Sequence, residues 1–95
     1  MDHQRSLKRI TFTVKYCPVF EAITGTDSDK FTVDLDANGF TDIPFSFAMF
    51  SVENVHPKLF ERYQPGMLDF KLNGEDPELA TPLKEGDEIW FGVLE

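Results

Sequence analysis

Glu88-Ile89-Trp90-Phe91-Gly92-Val93, near the end of the chain, is almost wholly apolar, and Ile10-Thr11-Phe12-Thr13-Val14-Lys15-Tyr16, near its start, alternates strictly. In the early stretch Ile10, Phe12, Val14 and Tyr16 fall on one side and Thr11, Thr13 and Lys15 on the other. That is the period-two pattern of a strand with one buried face. The late stretch has the continuous apolar character of a strand covered on both faces. These two segments decide the fold, and the rest of the chain is read between them.

Cys17-Pro18 ends the first strand, because a proline cannot donate to a ladder. Residues 18–29 combine an apolar cluster (Val19, Phe20, Ala22, Ile23) with turn chemistry at Gly25 and Thr26-Asp27-Ser28-Asp29. Residues 30–35 alternate again, with Phe31, Val33 and Leu35 inward. Asp36-Ala37-Asn38-Gly39 breaks this pattern, and the period changes from Phe40 onward. Phe45, Ala48, Met49, Val52 and Val55 then recur on one helical face, which predicts a helix over 43–56 with Asp42 as its N-cap and Pro44 in its first turn. Phe47 and Phe50 widen the apolar face. His56-Pro57 stops the helix, and Lys58 to Tyr63 can add one short turn.

Leu68-Asp69-Phe70-Lys71-Leu72 alternates as a third strand, and Asn73-Gly74 is a strong turn signal. The polar run after it holds at most a short irregular pairing around Leu79. A tight turn at Leu83 to Asp87 leads into the last strand. Gly86 suits that turn because it takes positive φ without steric cost, and Asp87 can accept from nearby backbone N–H groups. The Gly86-Asp87 pair is therefore a folding device before it is anything else. The order strand, strand, helix, strand, short strand, strand fits an α+β domain of ubiquitin-like β-grasp type. It has a mixed four- to five-stranded sheet and one main helix, with the first and last strands parallel neighbours in the centre. Residues 1–9 read as a flexible lead-in and 10–93 as a single domain.

The chain has 95 residues, 41% hydrophobic and 14% aromatic, with ten Phe, an apolar load that a disordered chain lacks. Its net charge of −8, from 9 Lys and Arg against 17 Asp and Glu, argues against nucleic acid and against a polybasic membrane anchor. No apolar run approaches a membrane span. Cys17 is the only cysteine, so no internal disulfide exists and the chain reads as cytoplasmic. Its bland reading is a small residue at a strand end; a nucleophile would need a cation or helix N-terminus nearby. His3 and His56 lack the partners of a zinc site, and His56 suits a helix C-terminus. The acidic pairs match no calcium loop. No phosphate loop, Ser/His/Asp set or coupled carboxylate pair is visible. The expectation is a protein without enzymatic activity, cofactor or metal.

Pro82-Leu83-Lys84-Glu85-Gly86-Asp87-Glu88-Ile89 resembles a stretch near the end of the molybdopterin synthase small subunit and the thiamine sulfur carrier (the MoaD/ThiS-like family). The Tyr16–Leu35 segment, with its Ala22-Ile23-Thr24-Gly25 turn, is similar to that family's first hairpin, and the helix ending His56-Pro57-Lys58-Leu59 fits as well. The resemblance spans about Ile10 to Val93. It implies a sulfur carrier related to molybdopterin or thiamine biosynthesis, working through protein partners such as a synthase large subunit or an E1-like activating enzyme. Carriers of that family end in Gly-Gly, whose carboxylate becomes a thiocarboxylate. Here Gly92 is followed by Val93-Leu94-Glu95, so as written no thiocarboxylate terminus is competent. A natural end, a shortened precursor and an expression remnant at Leu94-Glu95 all fit. The other reading is a ubiquitin-like accessory or adaptor subunit of a multicomponent enzyme, unrelated to sulfur transfer.

Trp90, Phe91, Gly92 and Phe70 are the candidate partner-binding residues. Alternation places Trp90 with Glu88 on the side of the last strand away from the helix, the side that Asp69 and Lys71 take in the third strand. The aromatic excess has two readings, core packing and, as the alternative, an apolar patch on the open sheet face for a partner. Residues 69–95 carry eight acids against Lys71 and Lys84, an acidic rim that suits a partner with a basic rim.

Overall fold

The computed structural model describes residues 9–39 and 42–93; the rest of the N-terminal lead-in, Phe40-Thr41 and Leu94-Glu95 lie outside the described residues. The elements are β1 (Arg9–Tyr16), α1 (Pro18–Thr24), β2 (Ser28–Asp34), α2 (Leu35–Asn38), α3 (Phe45–Val55), α4 (Pro57–Arg62), β3 (Leu68–Leu72) and β4 (Glu88–Val93). The four strands form one sheet in the order β2-β1-β4-β3. β1 and β4 are the central pair and run parallel, with Thr13 opposite Glu88 and Tyr16 opposite Phe91. Both outer pairs are antiparallel. This is the ubiquitin-like β-grasp, with α3 as its main helix.

The core is the face that the alternation assigns. Phe12 and Val14 from β1, and Ile89 and Phe91 from β4, are at most 2% exposed. Phe45, Ala48 and Val52 of α3 come down on them. Burying side chains of this size stabilises the fold by about 1.5–3 kcal/mol each. Phe91 is a hub: its ring lies 4.5 Å from that of Phe70, 4.9 Å from Phe20 and 5.9 Å from Phe60. Most of the aromatic excess is used in this way.

Three local expectations are corrected. Residues 18–24 form a helix rather than a loose apolar cluster. Pro18 sits at its first position, where a missing N–H costs nothing, and Gly25 closes it in the left-handed region with its N–H on the Glu21 carbonyl. The main helix starts at Phe45, and Asp42 does not cap it; Pro44, in extended geometry, precedes the first turn. The first N–H groups of α3 are satisfied from elsewhere, Phe45 donating to Thr81 O (2.7 Å) and Ser46 to Leu79 O (3.1 Å). Finally, no strand forms around Leu79 among the described residues. Isolated bridges at Pro44–Pro82 and Leu72–Glu75 stand in its place, and Pro82 has no N–H to extend a ladder.

The Leu83–Asp87 turn ties both central strands together. Gly86 has φ +85° and donates to Thr11 O, while Thr13 N donates to Asp87 O. The Asp87 carboxylate accepts from Lys84 N (2.7 Å) and from Asn73 Nδ2 (3.0 Å). Asn73 in turn accepts from Glu88 N through its side chain and donates to Glu88 O through its backbone. Asp87 thus fixes the register in which β4 leaves the turn beside β3.

Candidate functional site

The helices cover one face of the sheet. The other face carries the second set of each alternating strand: Lys30 and Thr32 of β2, Thr11, Thr13 and Lys15 of β1, Glu88, Trp90 and Gly92 of β4, and Asp69 and Lys71 of β3. Cross-strand pairing puts Lys15 and Lys71 on either side of Trp90, and Asp69 beside Gly92. Thr11 and Thr32 pair through their hydroxyls at 3.0 Å.

Trp90 is 39% exposed and is the large apolar side chain of this otherwise polar face. Its indole lies flat along the strand over Gly92. A Cβ built on Gly92 would stand 2.6 Å from Trp90 Cζ2 and 2.9 Å from Cζ3. Gly92 is therefore the seat of the ring, and its lack of a side chain lets the indole lie against the backbone rather than project into water. The period of two brings this pair together.

The same period separates the other two candidates from it. Phe91 and Phe70 face each other across β4 and β3 on the helix side. Phe91 is fully buried, so it is a core residue and not a contact residue; this corrects the sequence-based assignment. Phe70 is half-buried under α3, its ring 5.4 Å from that of Phe45. A one-residue step along a strand reverses the face, and Phe91 and Phe70 are one step away from Trp90 and Lys71.

The surround of Trp90 is mixed in charge. Lys15 pairs with Glu88 at 3.4 Å, and Lys71 pairs with Asp76, whose carboxylate holds the ammonium above its ordinary pKa. A shallow hollow of about 310 Å³ beside the indole is lined by Lys15, Lys71, Asn73 and Glu88. An extended apolar patch on this face, one of the sequence expectations, is absent among the described residues. Phe50 (69% exposed) and Leu79 (63% exposed) surface on the helix side instead.

A polar cluster escaped sequence reading. At the end of β1 the Tyr16 hydroxyl donates to Asp29 Oδ2 (2.9 Å), and His56 Nε2 lies 2.6 Å from the same oxygen. The Tyr16 and His56 rings meet edge to face at 5.6 Å. Burial first, and then the Asp29 carboxylate, raises the Tyr16 phenol well above its ordinary pKa. This cluster locks the α3–α4 break against β1 and β2. Cys17 follows Tyr16, is buried, and donates its backbone N–H to Phe91 O at 3.0 Å, a structural placement.

No protein-family model matches the sequence, and no curated protein matches it. Solved structures do resemble it. A Pyrococcus furiosus protein described as molybdopterin converting factor, subunit 1, aligns at a TM-score of 0.73 and 17% identity, over 90% of this chain and 99% of that one. Small archaeal modifier protein 1 of Haloferax volcanii aligns at 0.70 and 20% identity, over 87% and 95%. Its Methanosarcina acetivorans counterpart aligns at 0.69 and 17%, over 90% and 94%. At these identities the likeness is one of fold, and the chain has the ubiquitin-like β-grasp fold found in the molybdopterin converting factor subunit and the small archaeal modifier proteins.

Proposed function

We propose that this chain is a protein-docking β-grasp module of the sulfur-carrier type, related to molybdopterin or thiamine-type sulfur transfer, and that it acts by binding rather than by catalysis. The observation that carries the reading is Trp90, a half-exposed indole seated on Gly92 at the centre of an open, polar sheet face. A rigid aromatic on a flat polar surround buries much area for little lost entropy, which is the usual chemistry of an interface anchor. The fold shared with a protein described as a molybdopterin converting factor subunit supports the reading of a small carrier-type module.

The partner is an activating enzyme or a synthase large subunit whose docking surface carries a pocket for the indole and groups that complement Lys15, Lys71 and Glu88. The test is calorimetric titration of the chain against the E1-like activating enzyme and the synthase large subunit encoded in the same genome. Trp90→Ala should weaken binding by about 2 kcal/mol, roughly 30-fold, with the folded spectrum retained. Equal affinity of the variant, or no binding of the wild type to either partner, refutes the reading. Adding ATP and a sulfur donor then separates carrier from adaptor. A mass gain matching oxygen replaced by sulfur at the C-terminus identifies a carrier.

A further inference from the structure

Among the described residues the open face leaves one carboxylate unused. Asp34 is engaged by Arg9, Glu88 by Lys15, and Asp76, which reaches over from the following loop, by Lys71. Asp69 has no hydrogen bond or ion pair; Lys71 feels its charge but is bonded to Asp76. Register fixes where Asp69 stands. It lies directly opposite Gly92, and opposed residues of an antiparallel pair hold their Cβ positions about 5 Å apart. The place of the absent Gly92 Cβ is where the six-membered ring of Trp90 rests, 2.6 Å from Cζ2 and 2.9 Å from Cζ3. The Asp69 side chain therefore rises at the edge of that ring, on the same side of the sheet. The inner face of the indole lies against the backbone and its outer face turns to solvent. Charge around the ring points the same way. Two cations, Lys15 and Lys71, stand there with three carboxylates, Glu88, Asp76 and Asp69. Each lysine is neutralised by an ion pair, and the charge left over is that of Asp69.

We propose that the partner's contact on Trp90 is an arginine, its guanidinium stacked on the outer face of the indole and forked onto the Asp69 carboxylate. The proposal rests on the docking reading of Trp90 and makes the arginine one wall of the pocket that takes the ring. A flat, delocalised cation matches both features of the site. It stacks on an aromatic face, and its N–H fork meets a carboxylate through two bonds. Lysine fits less well, because a compact ammonium cannot stack flat and holds its water more strongly. An acidic group of the partner at this point would meet Asp69 as a like charge with no cation of the face free to offset it.

The probe is arginine blocked at both ends, by acetyl and methylamide, titrated at constant ionic strength into the isotope-labelled full chain. It should move the indole N–H signal of Trp90 and the amide signals of Asp69 and Gly92 together and to saturation. Blocked citrulline, which keeps the shape without the charge, should leave them in place, and blocked lysine should bind roughly threefold or more weaker. Asp69→Asn, which has no hydrogen bond to lose, should keep the fold and weaken arginine binding roughly tenfold. Glu53→Gln, which removes one negative charge from the helix side, should bind as the wild type does. Failure of arginine to move these signals, equal binding of citrulline or lysine, equal weakening by Asp69→Asn and Glu53→Gln, or self-association of the chain through the Trp90 face would each overturn the proposal. Against the activating enzyme and the synthase subunit, a loss with Trp90→Ala but none with Asp69→Asn would overturn the arginine and leave the docking reading in place. Failure of both proteins to bind, with blocked arginine still seated on Trp90 and Asp69, would remove those partners while the arginine site stands.

Discussion

Replacing Gly92 with alanine tests whether the indole seat exists. The added methyl would stand 2.6 Å from Trp90 Cζ2 and closer still to Cη2, inside any real contact distance, so the ring must leave. Gly92 has no positive φ, so an alanine backbone is unstrained there. On backbone grounds alone the substitution should stabilise the strand by about 0.5–1 kcal/mol. Against this stands the ring. Trp90 is 39% exposed, and a tryptophan covers up to about 250 Å² when buried, so on the order of 150 Å² of it is now shielded. Losing about half of that shielding costs about 2 kcal/mol at 25 cal/mol per Å². The net expectation is a loss of about 1 kcal/mol in folding stability. Trp90 is the only tryptophan, so its emission reports the ring directly. Gly92→Ala should shift the emission to the red and raise quenching by iodide, with the denaturation midpoint lowered. Unchanged emission together with raised stability would show that the ring does not rest on Gly92, and the geometry of the proposed anchor would fall with it.

Tyr16→Phe removes the hydroxyl that donates to Asp29, at a cost of about 1 kcal/mol near neutral pH. Because the folded phenol is raised above its ordinary value, the wild-type advantage is whole below about pH 10 and shrinks by up to about 1.4 kcal/mol per pH unit above it. Denaturant titrations at neutral pH and near pH 11 should show the gap between the two proteins closing; a constant gap would contradict the sign. Asp87→Ala strips acceptors from Lys84 N and the Asn73 amide and should cost about 2 kcal/mol. The partner affinity of the folded fraction should stay unchanged, since the motif serves the fold; a selective binding defect would reverse that assignment. His56→Ala leaves Asp29 with Tyr16 alone at the α3–α4 break and should cost about 1–2 kcal/mol by thermal melting, and a neutral result would deny the cluster its locking role.

The sheet was legible because its signals are local and periodic. The alternation of residues 10–16 and the apolar run of 88–93 pointed to β1 beside β4 in parallel, and that pairing is found, although β4 is covered on the helix side alone and not on both faces, with Glu88 and Trp90 on the open side. The Asn73-Gly74 turn was equally plain, with φ +52° and +86° at the two positions. The helix at 18–24 was hidden although its punctuation was present. Pro18 at the first position and Gly25 just past the end are a start and a stop, but seven residues are too few for a period to show. The start of α3 was misplaced for a different reason. Asp42 looked like a cap because capping is normally local, whereas here the donors are met by carbonyls at Leu79 and Thr81, more than thirty residues away in sequence.

The candidate site divides along the same line. Trp90 could be placed on the open face because side-chain direction in a strand follows from counting, and the count that exposes Trp90 also buries Phe91. Naming both as contacts set composition above period, and period prevailed. Gly92 was read as a contact candidate that does not complete a carrier tail, yet its structural work is to leave room for a ring two residues earlier, a relation that needs the rotamer of Trp90. The exposed apolar surface was sought on the sheet, while Phe50 and Leu79 carry it on the helix side. That displacement follows from the 75–83 segment. Once it crosses to satisfy the first turn of α3, Leu79 stands beside the helix, and with Phe45, Met49 and Phe70 it lines a groove along β3. The loop that replaced the expected cap thus also carries Leu79, and with it the apolar surface, to the helix side.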